Sequence, residues 1–185
     1  KIPYHVNFEE VNLRFYVRKF ENARWRRGVV FIKEIVPKSA ISFVAKNLYN
    51  ENYETMKMSH IWKEMDHKRY VEYRWGKSDT ENMLSMTTAK DLQDIKDNTE
   101  TEFILENYLG FAKVNDQKTH QYTVKHPRWK IYKVDDYNLN VNFGSIYGQA
   151  FDFLSKVKPH SVILVEGSEV AIESKKTLKS YISRL

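Results

Sequence analysis

The chain has 185 residues, a length that fits one large domain or at most two small ones. Hydrophobic residues make up 42% of the sequence and aromatic residues 14%, which is enough apolar material to fill a core and argues against a disordered chain. The abundance of tyrosine and phenylalanine favours β-strands, because flat and β-branched side chains pack well on a pleated surface. The composition therefore predicts a folded protein rich in β-structure.

Cysteine is absent, which excludes disulfides, thiolate metal sites and cysteine nucleophiles. No apolar run approaches the roughly 20 residues that a membrane-spanning helix needs. The first residues also lack the charged-then-apolar pattern of a signal peptide. We therefore expect a cytoplasmic protein without a membrane partner.

The formal net charge of +6 invites a nucleic-acid hypothesis, but most of the basic residues are mixed with acidic ones. The only tight basic cluster consists of Arg24, Arg26 and Arg27, with Trp25 inside it. The simpler interpretation is a solvated hairpin tip. The alternative is a surface that binds single-stranded nucleic acid by combining charge with stacking.

The first predicted strand covers residues 11–18, where apolar and polar side chains alternate with a period of two. Gly28 then opens a short β-branched run, residues 29–32, which fits a strand buried on both faces. A short helix is predicted after Pro37, with its start marked by Ser39.

Residues 53–88 predict a meander of antiparallel strands, because alternating segments are separated by turn-forming residues. A helix is predicted to begin at Thr99, where Glu102 completes the capping-box spacing, and to end at Gly110. The remaining predictions are a hairpin of residues 111–114 and 119–125, a strand over 129–134, a third helix over 145–157, and a strand over 161–166 with which 170–172 pairs. Few helices among antiparallel strands indicate an α+β fold, with the sheet open or closed as a barrel or cone.

Phosphate-binding loops, dinucleotide fingerprints and the Gly-x-Ser-x-Gly elbow are all missing from the sequence. None of the six histidines falls in a metal-binding spacing. We therefore predict no metal site and no cofactor.

The carboxylates offer the better candidate site. Glu9 and Glu10 precede the first strand, and Arg14 and Arg18 lie on its polar face. If the sheet closes into a barrel, that polar row can face an interior cavity, where Glu10 and Arg14 would bind a small anionic or carbonyl compound. The simpler alternative is a sheet with its polar side exposed to water.

Five segments in the same order resemble the YqjF-like family of uncharacterised bacterial proteins, grouped within the acetoacetate decarboxylase-like superfamily. They are EEVNLRFYVR at 9–18, RGVVFIKEIVPKSAISFVAKNLYN at 27–50, the strand that follows it, HPRWKIY at 126–132 and VEGSEVAI at 165–172. The resemblance implies a single domain, residues 1–185, with a mostly antiparallel sheet closed around a central pocket and about three helices outside. It also implies that the chain begins after the family's first strands.

Acetoacetate decarboxylase acts through a lysine that forms a Schiff base, with a pKa lowered by an adjacent lysine and an apolar pocket. That lysine pair follows the helix that resembles residues 39–49 here, where this chain has Glu51-Asn52-Tyr53-Glu54 instead. Glu10 falls where the decarboxylase has a catalytic carboxylate. The resemblance therefore implies a pocket without Schiff-base decarboxylation.

Three hypotheses remain open, and the sequence does not decide whether the protein is an enzyme. The first is a protein that binds, and transforms, a small organic molecule, with Glu10 as the acid–base residue, Arg14 as an anion anchor and Tyr53 as a donor in the pocket wall. The second is a binding or interaction module without catalysis. The third, less favoured, is nucleic-acid binding through the arginine cluster, and homo-oligomerisation is left open.

Overall fold

The structure is a computed structural model that describes residues 7–46, 52–77 and 82–179. Within these ranges it is mostly β-structure arranged as two curled half-barrel sheets with few helices, which confirms the predicted α+β class. The strands are β1 (Val11–Glu21), β2 (Arg24–Val36), β3 (Tyr53–Thr55), β4 (Lys57–Met65), β5 (Lys68–Gly76), β6 (Asn82–Gln93), β7 (Leu109–Asn115), β8 (Lys118–Lys125), β9 (Ile131–Asn140), β10 (Leu164–Val165) and β11 (Ala171–Lys179). The helices are α1 (Ser39–Val44), α2 (Glu100–Leu105), α3 (Phe143–Tyr147) and a 3-10 helix (Gln149–Lys156).

The first sheet has the order β1-β2-β7-β8-β11, and β3 also pairs with β2. β1 and β2 form the antiparallel hairpin that the period-two pattern indicated, with a turn at Asn22 and Ala23, both of which have positive φ angles. β3 and β7 run parallel to β2, β3 beside its last residues and β7 beside its middle. β2 is thus an interior strand of the sheet, and its side chains are exposed at its start and buried at its end.

The second sheet has the order β10-β9-β6-β5-β4. Its strands β4, β5 and β6 form the predicted antiparallel meander. Met56 alone separates β3, in the first sheet, from β4, in the second. The chain therefore passes directly from one sheet to the other at the point where the predicted site residue Tyr53 lies.

Helix starts are predicted well and helix ends less well. α1 begins at Ser39 as expected, while the predicted end of this helix lies outside the described residues. Thr99 is the N-cap of α2, and its hydroxyl accepts a hydrogen bond from the backbone N–H of Glu102. α2 then ends at Leu105, and β7 begins at Leu109. Tyr108 and Leu109 fall inside the predicted helix. In the structure Tyr108 lies in the segment after α2, and Leu109 is the first residue of β7.

Two predictions near the carboxyl end are wrong. The single helix expected over 145–157 is divided into α3 and the 3-10 helix by Gly148, which has a φ of 100°. A residue in that left-handed region cannot continue a right-handed helix. The segment expected to pair with β10 instead forms β11, which pairs antiparallel with β8.

The two sheets meet across an apolar cluster. Its five buried members come from both sheets and from α3: Ile35, Met56, Trp75, Val141 and Ile146. Because side chains alternate along β2, Ile35 enters this cluster while its neighbour Glu34 lies on the other face of the first sheet. Within the described ranges, no helix is both long enough and apolar enough to cross a bilayer.

The first sheet curls strongly. Its two outermost strands, β1 and β11, approach each other at one end, where the amine of Lys176 lies 3.7 Å from a carboxylate oxygen of Glu21. Glu21 also binds Lys19 at 2.8 Å. The opposite edges of a flat sheet would be far apart. This contact therefore shows that the sheet is strongly curved.

Candidate functional site

A row of polar residues crosses the first sheet on the face opposite the apolar cluster. Glu34 of β2 is register partner both to Asn12 of β1 and to Tyr53 of β3. Only 4% of Glu34 is exposed. Carboxylates are rarely buried to this extent without a specific set of hydrogen-bond donors.

Tyr53 provides one donor to Glu34: its hydroxyl donates a 2.9 Å hydrogen bond to Oε2 of the glutamate. The same face is partly covered by α1, whose buried Ser42 shares a 2.9 Å hydroxyl–hydroxyl hydrogen bond with Thr55 of β3. Glu34 and Tyr53 therefore lie between a strand ladder and a helix, where their positions are well defined.

Glu10 completes the group from the segment that precedes β1. Its carboxyl group is hydrogen-bonded to Glu34 and accepts a 3.3 Å hydrogen bond from Nδ2 of Asn12. Desolvation raises the pKa of Glu10, while the hydrogen bonds from Asn12 and Glu34 act in the opposite direction. The residue as a whole is exposed to solvent. The carboxyl group is therefore shielded from water while the rest of the side chain is accessible.

We call Glu10, Asn12, Glu34 and Tyr53 the carboxyl cluster. Two carboxyl groups joined by a hydrogen bond must share a proton, because two carboxylates have no donor between them. Such a pair titrates as a unit and holds a proton above the ordinary carboxyl range. It can donate that proton to a bound compound and accept another, which is the chemistry of general acid–base catalysis.

Arg14, the predicted anion anchor, lies on β1. The pairing of β1 with β2 shifts register at a β-bulge between Leu13 and Arg14. The guanidinium group of Arg14 lies 5.8 Å from the ring centroid of Tyr16. The structure thus brings Glu10 and Tyr53 together through Glu34, and places Arg14 farther along β1 beside an aromatic ring.

Glu34 was not among the site residues predicted from the sequence. It falls in a region that reads as an ordinary apolar strand, although the run from Val29 to Val36 contains only two charged residues, Lys33 and Glu34. A carboxylate two residues past the strand predicted to be buried was the available signal, because a carboxylate in a buried segment needs partners and often marks a site.

Lys33 lies on the opposite face from Glu34 and enters a different environment. Its amine donates a 2.7 Å hydrogen bond to Glu54 and a second one to the carbonyl oxygen of Ile146. A cavity of about 300 Å³ adjoins Glu54 and Ile146. Burial, together with the charge of Glu54, raises the pKa of the Tyr147 phenol to about 12. This lysine connects the first sheet to α3 on the apolar side of the sheet.

A second, larger cavity of about 850 Å³ lies between β9 and the 3-10 helix. Within its lining, the amine of Lys156 binds Asp152 at 2.6 Å. None of its lining residues belongs to the carboxyl cluster. It contains no buried acid–base pair among the described residues, and we regard the carboxyl cluster as the better candidate for chemistry.

The basic cluster lies at the start of β2, just after the hairpin turn. Arg24, Trp25 and Arg27 are exposed, while Arg26 is half-buried and lies 3.7 Å from Glu21. In the described part of the chain, no three His, Asp or Glu side chains are arranged to hold a metal ion.

Comparison with known proteins adds a family but no activity. Residues 1–169 match the model of DUF2071, a family described as an uncharacterized conserved protein. A search of curated proteins gives no match. The match covers far more than half of the sequence and includes every residue of the carboxyl cluster, and the chain therefore belongs to the DUF2071 family of uncharacterized conserved proteins.

Proposed function

We propose that the protein binds a small organic molecule at the carboxyl cluster and acts on it by proton transfer, without a Schiff base. The observation that carries this proposal is the hydrogen-bonded pair of Glu10 and Glu34, because a desolvated carboxyl pair is costly to maintain for structure alone. Tyr53 fixes one member of the pair, and Glu10 lies where solvent and a ligand reach it.

The two glutamates of the pair have different roles in this proposal. Glu34, buried and held by Tyr53, is suited to positioning Glu10 and sharing its proton. Glu10, with its exposed surface, is suited to contact the ligand as acid or base. Arg14 remains the candidate for an anionic group of the ligand, as it lies on the polar side of the same strand.

The proposal differs from the chemistry of acetoacetate decarboxylase, whose superfamily the sequence resembles. A Schiff base needs an amine in the pocket, and the cluster supplies carboxyl, phenol and amide groups instead. We accordingly propose a related pocket whose ligand is polarised by hydrogen bonds rather than held covalently.

A thermal-shift screen against a metabolite library tests the proposal, because a ligand that binds only the folded protein raises its apparent stability. At about 100 times its Kd, a ligand adds about 2.7 kcal/mol, which corresponds to a shift of roughly 5–10 °C for a chain of this size. We expect compounds that stabilise the wild type to lose this effect in Glu10→Gln and Glu34→Gln. Asp91→Asn, which changes an exposed carboxyl group on β6 in the same way, is the matched control.

Compounds that stabilise both cluster variants as strongly as the wild type would place the ligand elsewhere and contradict the proposal. Incubation of each confirmed ligand with the protein then separates catalysis from binding. A ligand that is consumed by the wild type but not by Glu10→Gln indicates an enzyme, whereas one that is recovered unchanged indicates a binding module.

A further inference from the structure

The start of β2 forms one wall of a separate cavity of about 320 Å³, which we call the hairpin cavity. It lies at the far end of β2 from Glu34. Its lining consists of four consecutive residues of β2, two residues from the segment between α2 and β7, and the first residue of β7: Arg24, Trp25, Arg26, Arg27, Glu106, Tyr108 and Leu109. Its volume lies at the lower end of the range of small-ligand sites, about 300–1,000 Å³.

Trp25 offers an oriented aromatic surface beside this cavity. Its side chain is 58% exposed, which is unusual for the largest apolar side chain. The guanidinium of Arg18 lies 4.6 Å from its ring centroid, and the ring of Phe20 lies 5.2 Å away at 61°. These two neighbours hold the indole in place, so that little freedom is lost when a flat ligand stacks on it.

The arginines around Trp25 supply positive charge beside the cavity. Arg24 and Arg27 are exposed, and the Arg27 guanidinium lies 5.2 Å from the ring centroid of Phe103, which orients it. The positive charge of Arg26 is partly balanced by the carboxylate of Glu21, which lies 3.7 Å away. Planar guanidinium groups bind phosphate oxygens in pairs and stack on rings, which lysine does not do equally well.

The opposite wall continues the aromatic surface. Tyr108 donates its hydroxyl proton to Glu106, and its pKa is raised to about 12, chiefly by desolvation, so that the phenol stays neutral beside the arginines. Its ring stacks on His126 at 4.9 Å, and His126 in turn stacks on Trp129 at 4.0 Å. Tyr108 therefore connects the wall of the cavity to a row of stacked rings.

We propose that the hairpin cavity binds a nucleotide unit of single-stranded nucleic acid, with the base stacked on Trp25 and the phosphate held by Arg24 and Arg27. Stacking rings next to arginines form the usual surface for single strands, since every base has a face to stack and every link carries a charge. A duplex keeps its bases paired and stacked inside, so it cannot place one on Trp25. The site is independent of the carboxyl cluster and its ligand.

Fluorescence anisotropy with short labelled oligothymidylate, at salt concentrations from about 50 to 200 mM, tests this proposal. Trp25→Ala should weaken binding on the order of 10-fold or more, the usual effect of removing the ring under one stacked base. Arg24→Gln with Arg27→Gln should weaken binding and lower the slope of log K against log salt by about 1.4, since each phosphate that is no longer neutralised lowers it by about 0.7. Lys63→Gln with Lys133→Gln removes the same charge from exposed positions of the second sheet and is the matched control.

Support for the proposal is wild-type binding to the single strand in preference to a duplex of equal length, with weaker binding confined to the hairpin variants. Three results would overturn it: no binding at the lowest salt, equal affinity for the duplex, or a control variant whose affinity falls as much as that of the arginine variant. Circular dichroism and thermal melting of each variant establish that it is folded. Trp25→Phe, which retains a ring, should bind more tightly than Trp25→Ala, and equal affinity of the two would also count against stacking.

Discussion

The hydroxyl of Tyr53 donates a 2.9 Å hydrogen bond to Oε2 of Glu34, and the two residues are register partners on the parallel strands β3 and β2. This bond connects a three-residue strand to the interior strand β2 of the first sheet. It also holds the buried member of the carboxyl pair in a fixed place. The stability of the fold and the geometry of the candidate site therefore depend on the same contact.

Tyr53→Phe should lower the free energy of unfolding by about 1–3 kcal/mol, because it removes a donor from a buried carboxylate without changing the packing of the ring. Urea denaturation measures the change. Tyr137→Phe on β9 is the matched control, and we expect it to change the stability by less than about 0.5 kcal/mol. Equal effects of the two substitutions would show that the Glu34 contact adds nothing.

Glu10→Gln should change how stability depends on pH. The pKa of Glu10 is raised in the folded protein above its ordinary value of 4.5, so the folded state binds its proton more tightly than the unfolded state. The stabilisation is complete below the unfolded pKa and is lost as the pH rises through the folded pKa. Glutamine carries no such proton, and the stability of Glu10→Gln relative to wild type should therefore rise from acidic to neutral pH. Parallel stability curves across that range would contradict the shift.

Thr99→Ala should destabilise the protein by about 1 kcal/mol, because the Thr99 hydroxyl accepts the Glu102 N–H at the start of α2. Asn98 contributes a second bond, with its backbone N–H donating to the Glu102 carboxylate at 2.7 Å. Thr99→Ser retains the accepting oxygen and should stay close to wild type in a urea titration. A serine variant as weak as the alanine variant would point to the missing methyl group rather than the missing cap.

Gly28→Ala should be among the more damaging single substitutions in the first sheet. A methyl group at this position would lie 2.5 Å from the ring of Phe111 and 2.7 Å from the carbonyl oxygen of Leu109. The ring can shift but the backbone oxygen of a paired strand cannot, so we expect the stability to fall by about 1–3 kcal/mol. Gly28→Ala combined with Phe111→Leu tests the cause: relief of the ring contact alone should recover only part of that stability, and full recovery would mean that the backbone contact is unimportant.

The parts of the fold that were predictable from the sequence are those that depend on local patterns. The β1–β2 hairpin and the β4–β6 meander follow from period-two alternation and turn residues, and α2 begins at the threonine that the capping pattern marked. Long-range pairing was not predictable in this way. β11 pairs with β8, some fifty residues earlier, and nothing in its own residues specifies that partner over the nearer β10. The helix break at Gly148 was available from the sequence but was outweighed by the apolar spacing on either side of it.

The candidate site was predictable only in part. Glu10 and Tyr53 were predicted as site residues, and the structure brings both to Glu34. Glu34 itself was missed because a single glutamate in an apolar strand becomes informative only when its register partners are known. Asn12 and Tyr53 occupy those positions, and they come from strands about forty residues apart.

The approach of Lys176 to Glu21 has a consequence for behaviour in crowded solution. A sheet whose border strands converge leaves little room at that end for a strand from another molecule to dock on its unpaired amides. Charged side chains on both border strands further discourage edge-to-edge pairing of molecules into fibrils. Replacing both residues with threonine would remove this protection while keeping the β-propensity of the strands, and light scattering on gentle heating should then show earlier self-association than in the wild type.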